Sequence, residues 1–400
     1  MFKIVDNIYS VGVLNPNMRI FDIVMRTEYG TSYNSYLVRG TKKIALIDGC
    51  HERFTKQFFD NIKQIVPLNK IDYLIVNHCE PDHTGALKEL ITQIPNIQIY
   101  CSQASGVFLK EITNLPIQPH IVKDGESLSL GNKTLKFINA PFLHWPDSMF
   151  TAIEEDKVIF TCDFLGAHYC EPTMLDSSVA YLEAYKQAMY YYYDVIFSPF
   201  KKYVNDGLDK LSQFDYQFVC PSHGPILTRN GLYRYVFESY RTWSKIESIQ
   251  SRIPVFYASA YGYTKQIARA IKEGIQSVNK SIVVDTYDAN IIDQSTLNQL
   301  INTSMAFCLG SPTLNKNAVP PITKLLTSID VICNQQKPVL IFGSYGWSGE
   351  AQKILMNIAK DLNLRLYEKN IQIRFAPSSS QLNEAKQIAS DFARSVLAKK

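Results

Sequence analysis

The chain has 400 residues, of which 46% are hydrophobic and 20% charged, and its formal net charge is +4. This composition is that of an ordinary soluble globular protein, and the length suggests two domains. The small net charge and the lack of a dense Lys/Arg cluster argue against nucleic acid as a partner.

The N-terminal sequence and the spacing of the cysteines argue against further classes of protein. Residues 1–6 lack a hydrophobic signal region, and no window reaches the roughly 20 apolar residues of a membrane span. The eight cysteines are dispersed without a C-x-x-C pair, which argues against a disulfide framework, a zinc ribbon or a rubredoxin-type iron site. We therefore expect a cytoplasmic protein that makes no membrane contact.

The first two-thirds of the chain alternates short strands with helices, which predicts a layered α/β sandwich. Thr84 is predicted to cap the helix that begins at residue 85. The predicted strands are 20–25, 33–38, 43–48, 71–76, 97–100, 135–138 and 158–161, and the predicted helices are 52–65, 85–91 and 231–250.

Residues 77–85 combine more reactive side chains than any other stretch. They follow the apolar run 71–76, so residues 78–83 are predicted to form the loop at the carboxyl end of a buried strand. The spacing lets His78 and Glu80 bind one metal ion while Asp82 and His83 bind another. The alternative is a polar loop whose charges are only solvated, and four such residues together make it the weaker interpretation.

Three more metal-capable residues, His144, Asp163 and His223, each follow a strand-like run. Each is weak evidence alone, because a single histidine after a strand is more often structural. Of the seven histidines in the chain, however, four lie in this kind of position. The pattern therefore favours one joint metal site.

Near residue 251 a regular βα alternation begins, so the predicted domains are 1–250 and 251–400. The pattern is that of a doubly wound parallel sheet of about 145 residues. The predicted strands are 254–258, 282–287, 305–309 and 339–342, and the predicted helices are 264–278, 320–327, 349–362 and 381–398.

Three strand-end loops of this second domain indicate its ligand. The first brings hydroxyls and one glycine to a helix N-terminus, which makes an anion cradle without a lysine. It lacks both the Walker and the Gly-x-Gly-x-x-Gly pattern, and the third loop offers aromatic side chains between glycines to a planar ring. The candidates are Ser259, Ala260, Tyr261, Gly262, Tyr263 and Thr264, then Ser311, Pro312, Thr313, Leu314 and Asn315, then Ser344, Tyr345, Gly346, Trp347, Ser348 and Gly349.

The first domain resembles the metallo-β-lactamase fold, whose signature is His-x-His-x-Asp-His, a distant His, a bridging Asp and a final His. Glu80 departs from it, because zinc hydrolases of this fold usually have a second His there. The resulting four imidazoles and three carboxylates suit iron better than zinc and favour redox chemistry over hydrolysis. The second domain resembles flavodoxin, which implies FMN, although Tyr263 stands where related chains often have Asn.

Together the two domains resemble the flavodiiron proteins (type A flavoproteins) over essentially the whole chain. The resemblance implies an αββα sandwich followed by a flavodoxin-like sheet, and an enzyme that reduces O2 to water or NO to N2O. O2 is the favoured substrate, and NO is the alternative or an additional one. A hydrolase with an accessory flavodoxin domain and a redox carrier with an empty metal site are the competing interpretations. By resemblance, one iron is held by His78, Glu80 and His144, the other by Asp82, His83 and His223, and Asp163 bridges them.

The family also implies partners. It forms head-to-tail homodimers, which can pair into a dimer of dimers, and the FMN of one chain serves the iron of the other. We expect the electrons to come from an external donor, either a rubredoxin-like protein or an NAD(P)H-dependent reductase.

Two candidate catalytic residues rest on weaker signals. His168, five residues after Asp163, could donate a hydrogen bond to a ligand or could cap a local turn. Residues 190–193 are all tyrosines and predict a helix with a packed aromatic face. We take Tyr193 as the hydroxyl that reaches the metal pocket.

Overall fold

The computed structural model describes residues 2–246 and 249–398. The chain divides into two compact units, Met1–Ile246 and Glu247–Lys400. Among the described helices, none combines the length and the hydropathy needed to cross a bilayer.

The strands of the first unit are mostly short. They are β1 (Phe2–Val5), β2 (Ile8–Ser10), β3 (Val13–Asn15), β4 (Ile20–Phe21), β5 (Met25–Arg26), β6 (Thr31–Tyr33), β7 (Tyr36–Arg39), β8 (Ile44–Ile47), β9 (Tyr73–Val76), β10 (Gln98–Cys101), β11 (His120–Ile121), β12 (Ser127–Ser129), β13 (Thr134–Asn139), β14 (Met149–Ile153), β15 (Val158–Cys162), β16 (Phe218–Pro221) and β17 (Leu227–Thr228). One seven-stranded sheet has the order β1-β2-β7-β8-β9-β10-β11, and a six-stranded sheet runs from β12 to β17 in chain order.

The helices of this unit cover both sheets. They are α1 (Thr55–Lys63), α2 (Pro81–Thr84), α3 (Leu87–Gln93), α4 (Gln103–Thr113), α5 (Leu182–Tyr192), α6 (Lys201–Leu211) and α7 (Tyr233–Trp243). Single 3₁₀ turns lie at Glu52–Phe54, Leu68–Lys70, Asp176–Ser178 and Ser198–Phe200, and a π-helical turn lies at Tyr193–Phe197.

Three apolar clusters make this unit four layers thick. The middle cluster joins residues of both sheets, such as Ile47 and Ile75 from one and Phe137 and Phe160 from the other. The outer clusters join each sheet to its helices. Each fully buried Phe or Ile in such a core contributes roughly 1.5–3 kcal/mol relative to an exposed position. The predicted αββα sandwich is confirmed.

The second unit has a six-stranded sheet with helices on both faces and a separate two-stranded sheet. Its strands are β18 (Val255–Tyr257), β19 (Thr286–Asp288), β20 (Phe307–Gly310), β21 (Thr313–Leu314), β22 (Asn317–Ala318), β23 (Pro338–Tyr345), β24 (Arg365–Leu366) and β25 (Ile371–Arg374). Its helices are α8 (Tyr263–Val278), α9 (Gln294–Thr303), α10 (Pro320–Thr327), α11 (Glu350–Asp361) and α12 (Ser379–Leu397). The sheet order β19-β18-β20-β23-β24, with β25 also on β23, is parallel throughout, which confirms the doubly wound fold.

Several local predictions are wrong. The predicted strand 20–25 is a hairpin, because Asp22 and Ile23 adopt positive φ values of 44° and 57° between β4 and β5. Of the predicted strand 282–287, only residues 286 and 287 belong to a strand, which is β19. The predicted helix 231–250 is the shorter α7, and residues 247 and 248 of that prediction lie outside the described residues.

Thr84 does not cap the following helix. It ends α2, and its hydroxyl donates to the carbonyls of Cys79 and Glu80. The predicted loop 78–83 therefore closes with a helical turn, which directs Asp82 and His83 inward.

Candidate functional site

The metal candidates meet at one edge of the sandwich because both sheets contribute strand ends there. His78 follows β9 of the seven-stranded sheet, whereas His144, Asp163 and His223 follow β13, β15 and β16 of the other. The backbone of Asn77 ties the two sheets together, since its carbonyl accepts from Met149 N at 2.9 Å.

The first group of donors consists of His78, Glu80, His144 and one oxygen of Asp163. Glu80 Oε2 lies 3.2 Å from His78 Nε2 and 3.1 Å from His144 Nε2. Asp163 Oδ2 lies 3.4 Å from each of the same two nitrogens. Four donor atoms therefore point at one small volume.

The second group consists of Asp82, His83 and His223. Asp82 contacts His83 Nε2 at 3.3 Å through Oδ1 and His223 Nε2 at 3.1 Å through Oδ2. The second oxygen of the shared carboxylate, Asp163 Oδ1, lies 3.0 Å from His83 Nε2 and 3.4 Å from His223 Nε2. Asp163 thus presents one oxygen to each group, which is the arrangement of a bridging ligand.

Hydrogen bonds behind the cluster fix two imidazole rings. Asp147 lies 3.2 Å from His78 Nδ1 and also accepts from Cys79 N at 2.7 Å. His223 Nδ1 donates to Ser32 O at 2.7 Å. Such partners keep the proton on Nδ1 and leave Nε2 free for a metal ion.

Buried carboxylates and imidazoles lie next to each other in this site, and each shifts the pKa of the other. Burial alone would raise the pKa of the Asp163 carboxyl, but His83 and His144 hold it well below its usual range. Burial alone would lower the pKa of His83, but Asp82 and Asp163 raise it to about 9. Burial also opposes the raised pKa of His78, which its hydrogen bonds to Asp147 and Glu80 sustain. Metal cations can replace the protons that these imidazoles would hold.

The donor set fits two metal ions. Both carboxylate oxygens of Asp82 are buried and accept no hydrogen bond, a costly state that a cation would relieve. Of the four histidines, three have side chains at most 1% exposed, and His144 is 16% exposed, so the open side is at His144. The structure brings together all seven residues predicted from the sequence, and their binding of iron stays a prediction.

The β4–β5 hairpin lies beside the cluster, which the sequence did not reveal. The centroid of the Phe21 ring lies 4.5 Å from that of His168 and 5.9 Å from that of His223. Partial burial and the neighbouring Glu80 raise the pKa of Asp22 to about 6. Asp147 was missed as well, although it is a carboxylate only three residues after the predicted ligand His144.

His168 is buried next to a predicted ligand. The centroids of the His168 and His223 rings are 4.7 Å apart, and His168 Nδ1 is 2.9 Å from Thr31 Oγ1. Burial and then His223 lower the pKa of His168 well below its usual range, which favours a neutral ring.

The tyrosine run reaches the cluster through Tyr192 and not through Tyr193. The Tyr193 hydroxyl is 2.8 Å from Ser244 Oγ, and its ring packs on Trp243. The run enters a π-helical turn at Tyr193, which sends successive rings in different directions. The ring of Tyr192 instead packs against that of His168, with the two centroids 4.9 Å apart.

The three candidate flavin loops meet at the carboxyl edge of the second sheet, because β18, β20 and β23 are adjacent there. Thr264 Oγ1 and Ser344 Oγ, 2.8 Å apart, join the first loop to the third. Tyr261 and Trp347 are 83% and 81% exposed, so their rings are available to a planar ligand.

Gly262 shapes the first loop for an anion. Its φ of +84° places it in the left-handed region, and a Cβ there would have no atom within 4 Å. It directly precedes α8, whose first backbone N–H groups have no acceptor within the helix. This open cradle fits the phosphate of FMN.

Comparison with known families matches each unit separately. Residues 31–224 match the ODP family beta lactamase, and residues 255–388 match flavodoxin.

Comparison with individual proteins covers nearly the whole chain. The flavo-diiron protein FprA2 of Clostridium acetobutylicum is 48% identical over 98% of this chain and 99% of its own length. The anaerobic nitric oxide reductase flavorubredoxin of Vibrio vulnificus is 34% identical over 86% of this chain and 70% of its own. The structure of rubredoxin oxygen:oxidoreductase from Desulfovibrio gigas has a TM-score of 0.63 at 27% identity, covering 99% of this chain and 98% of the other.

We expect Asp163→Asn to lose metal. An amide cannot supply two anionic oxygens to two cations, so the iron content per chain, measured by plasma mass spectrometry after reconstitution, should fall from two to one or none. Asp176→Asn is the matched control, because Asp176 is equally buried but bonds Thr228 and Leu232. Full iron occupancy in Asp163→Asn would contradict the bridging role.

We expect Gly262→Val to lose FMN. The added side chain would fill the phosphate cradle, so the bound flavin measured by absorbance after gel filtration should fall by about tenfold or more. Gly125→Val is the control: Gly125 has a similar φ of +78° and equally open space, but lies in the first unit. If both variants retained flavin equally, the cradle would be misplaced.

Proposed function

Because this chain belongs to the flavodiiron protein family, we infer that it is an oxidoreductase that reduces O2 to water, NO to N2O, or both. Its cofactors are FMN and a non-haem diiron site. When bound, two ferrous ions and a two-electron flavin supply the four electrons that reduction of O2 to water requires.

The observation that supports this function most is the position of Asp163 between two groups of donors. The residues His78, Glu80 and His144 would hold one iron, and Asp82, His83 and His223 would hold the other. These residues would keep the two ions close enough together to bind two small molecules, or both atoms of one, at the same time. His144 is the ligand most exposed to solvent, because the side chains of the other three histidines are at most 1% exposed.

The residues behind the ligands would keep this geometry during turnover. Asp147 orients His78, and the Ser32 carbonyl orients His223. The neutral His168 ring packs against the ring of His223 and so helps to hold that ligand in place.

We propose O2 as the main substrate and NO as the alternative or an additional one. Similarity to a rubredoxin oxygen:oxidoreductase supports the first, and similarity to an anaerobic nitric oxide reductase supports the second. Glu80, where zinc hydrolases of this fold have His, supports redox chemistry over hydrolysis.

We also propose an electron donor, a cellular location and an oligomeric state. The electron donor is an external one, a rubredoxin-like protein or an NAD(P)H-dependent reductase, and the protein works in the cytoplasm. The active form is a head-to-tail homodimer in which the FMN of one chain serves the iron of its partner. The name of the Desulfovibrio gigas relative supports the choice of a rubredoxin-like donor.

The function is tested by gas consumption. Protein loaded with iron and FMN, and fully reduced under anaerobic conditions, should consume O2 rapidly without releasing peroxide in an electrode trace. A separate trace with NO, with N2O detected by gas chromatography, measures the alternative substrate. Asp163→Asn is the control and should consume neither gas. Intact protein with both cofactors bound that consumed neither gas would contradict the proposed function.

The homodimer is tested by complementation. Asp163→Asn should keep its flavin, and Gly262→Val should keep its iron, so each variant alone should be inactive. A hybrid dimer contains one intact flavin facing one intact iron site, and an equal mixture after subunit exchange should recover about a quarter of the wild-type rate.

Mixing each variant with itself under the same exchange conditions is the control for subunit exchange. No recovery in hybrid dimers, when mass spectrometry shows that they have formed, would contradict electron transfer between chains.

A further inference from the structure

A cavity of about 260 Å³ opens beside the cluster and has no role in the ligation described above. Its inner part is lined by the buried residues Met25, Thr27, His168 and Ala188. Its mouth is polar and exposed, and is formed by Arg26, Glu28, Gln187 and Tyr191. The cavity therefore leads from solvent to the buried His168.

Buried polar atoms without partners lie at the inner end. Nδ1 of His168 is engaged by Thr31, but Nε2 of the same ring has no hydrogen-bond partner. The hydroxyl of Thr27, which also lines the cavity, has none either. The side chains of His168 and Thr27 are 3% and 1% exposed, so an unfilled cavity would leave both atoms at a cost of about 1–3 kcal/mol each.

Water is the ligand that such a cavity takes. A cavity of this volume has room for several water molecules, each of which needs two to four polar partners. Thr27 and His168 supply partners inside, and Arg26, Glu28 and Gln187 supply them at the mouth. The tyrosine at the mouth, Tyr191, accepts a long hydrogen bond of 3.4 Å from Arg26 N, which joins the hairpin to the end of α5.

The inner end of the cavity is one ring away from a predicted iron ligand. His168 packs against His223 with ring centroids 4.7 Å apart. Tyr192, whose buried hydroxyl also lacks a partner, packs edge-on against His168 at 4.9 Å. Phe21 packs against both histidine rings, and Thr31 Oγ1 lies 2.9 Å from His168 Nδ1 and 3.3 Å from His223 Nδ1.

We propose that this cavity is a hydrated channel that brings protons from solvent to His168, beside the metal cluster. This rests on the proposed function: reduction of O2 with four electrons takes up four protons and forms two waters, and reduction of two NO with two electrons takes up two protons and forms N2O and one water. The electrons come from the external donor through the flavin. His168 and Thr27 are positioning residues that hold the innermost water, and the water chain carries the protons.

The first test closes the channel. Ala188→Met places a longer side chain in the cavity from helix α5, and Thr27→Val removes one hydrogen-bonding group without changing the shape much. With iron and FMN contents unchanged, each variant should consume gas more slowly, roughly tenfold for Ala188→Met, and show a larger solvent isotope effect in D2O. Thr27→Ser should restore both values, since it keeps the hydroxyl.

The matched control is Ala184→Met, one helical turn earlier on α5. Ala184 is partly buried against the same core but does not line the cavity. It should leave the rate and the isotope effect at the wild-type values. Wild-type rate and isotope effect in both Ala188→Met and Thr27→Val would overturn the proposal.

The second test does not depend on activity. A high-resolution crystal structure of the loaded protein should show ordered waters within hydrogen-bond distance of His168 Nε2 and Thr27 Oγ1, continuing to the mouth at Gln187. A cavity without ordered water in a protein that consumes gas would overturn the channel and leave the proposed function intact. Waters in place with neither gas consumed would overturn the proposed function and the channel with it.

Discussion

The metal site depends on the charge balance around one buried carboxylate. Asp163 is only 2% exposed, and a buried, unpaired carboxylate is several kcal/mol less stable than a solvated one. Its two oxygens lie 3.0–3.4 Å from four imidazole nitrogens, and Glu80 and Asp82 supply the remaining negative charge. Such a collection of ionisable groups has little use in a structural core, because an apolar core of the same volume would be at least as stable. It is the arrangement expected of a site built for cations.

The fold holds these groups by joining two sheets at one edge. Each group of ligands follows the end of a buried strand that the hydrogen bonds of its sheet hold in place. Asn77 links the sheets: its backbone N–H donates to Asp48, and Thr151 donates to its side chain at 2.7 Å. Asp147 then fixes the ring of His78 from behind. The sandwich positions donors from distant parts of the chain, which a single loop could not do with comparable rigidity.

The sequence predicted the parts of the fold and site that repeat a local pattern. Periodicity predicted a layered α/β sandwich and a doubly wound sheet, and the seven candidate ligands stand after apolar runs. The αββα arrangement and the division of the ligands between two irons came from the resemblance to a known family. The rest depends on tertiary contacts. Ile23, a β-branched residue with φ of 57°, gave no sign that strand 20–25 turns back as a hairpin. The choice of Tyr192 over Tyr193 is decided by a π-helical turn that four successive tyrosines cannot indicate.

We propose that two irons, and not zinc ions, lie on either side of Asp163. Anomalous diffraction from crystals of the reconstituted protein, collected on both sides of the iron absorption edge, tests this directly. The account predicts two iron peaks, one among His78, Glu80 and His144 and the other among Asp82, His83 and His223, with Asp163 between them. A single peak, or two peaks that follow the zinc edge and not the iron edge, would contradict it.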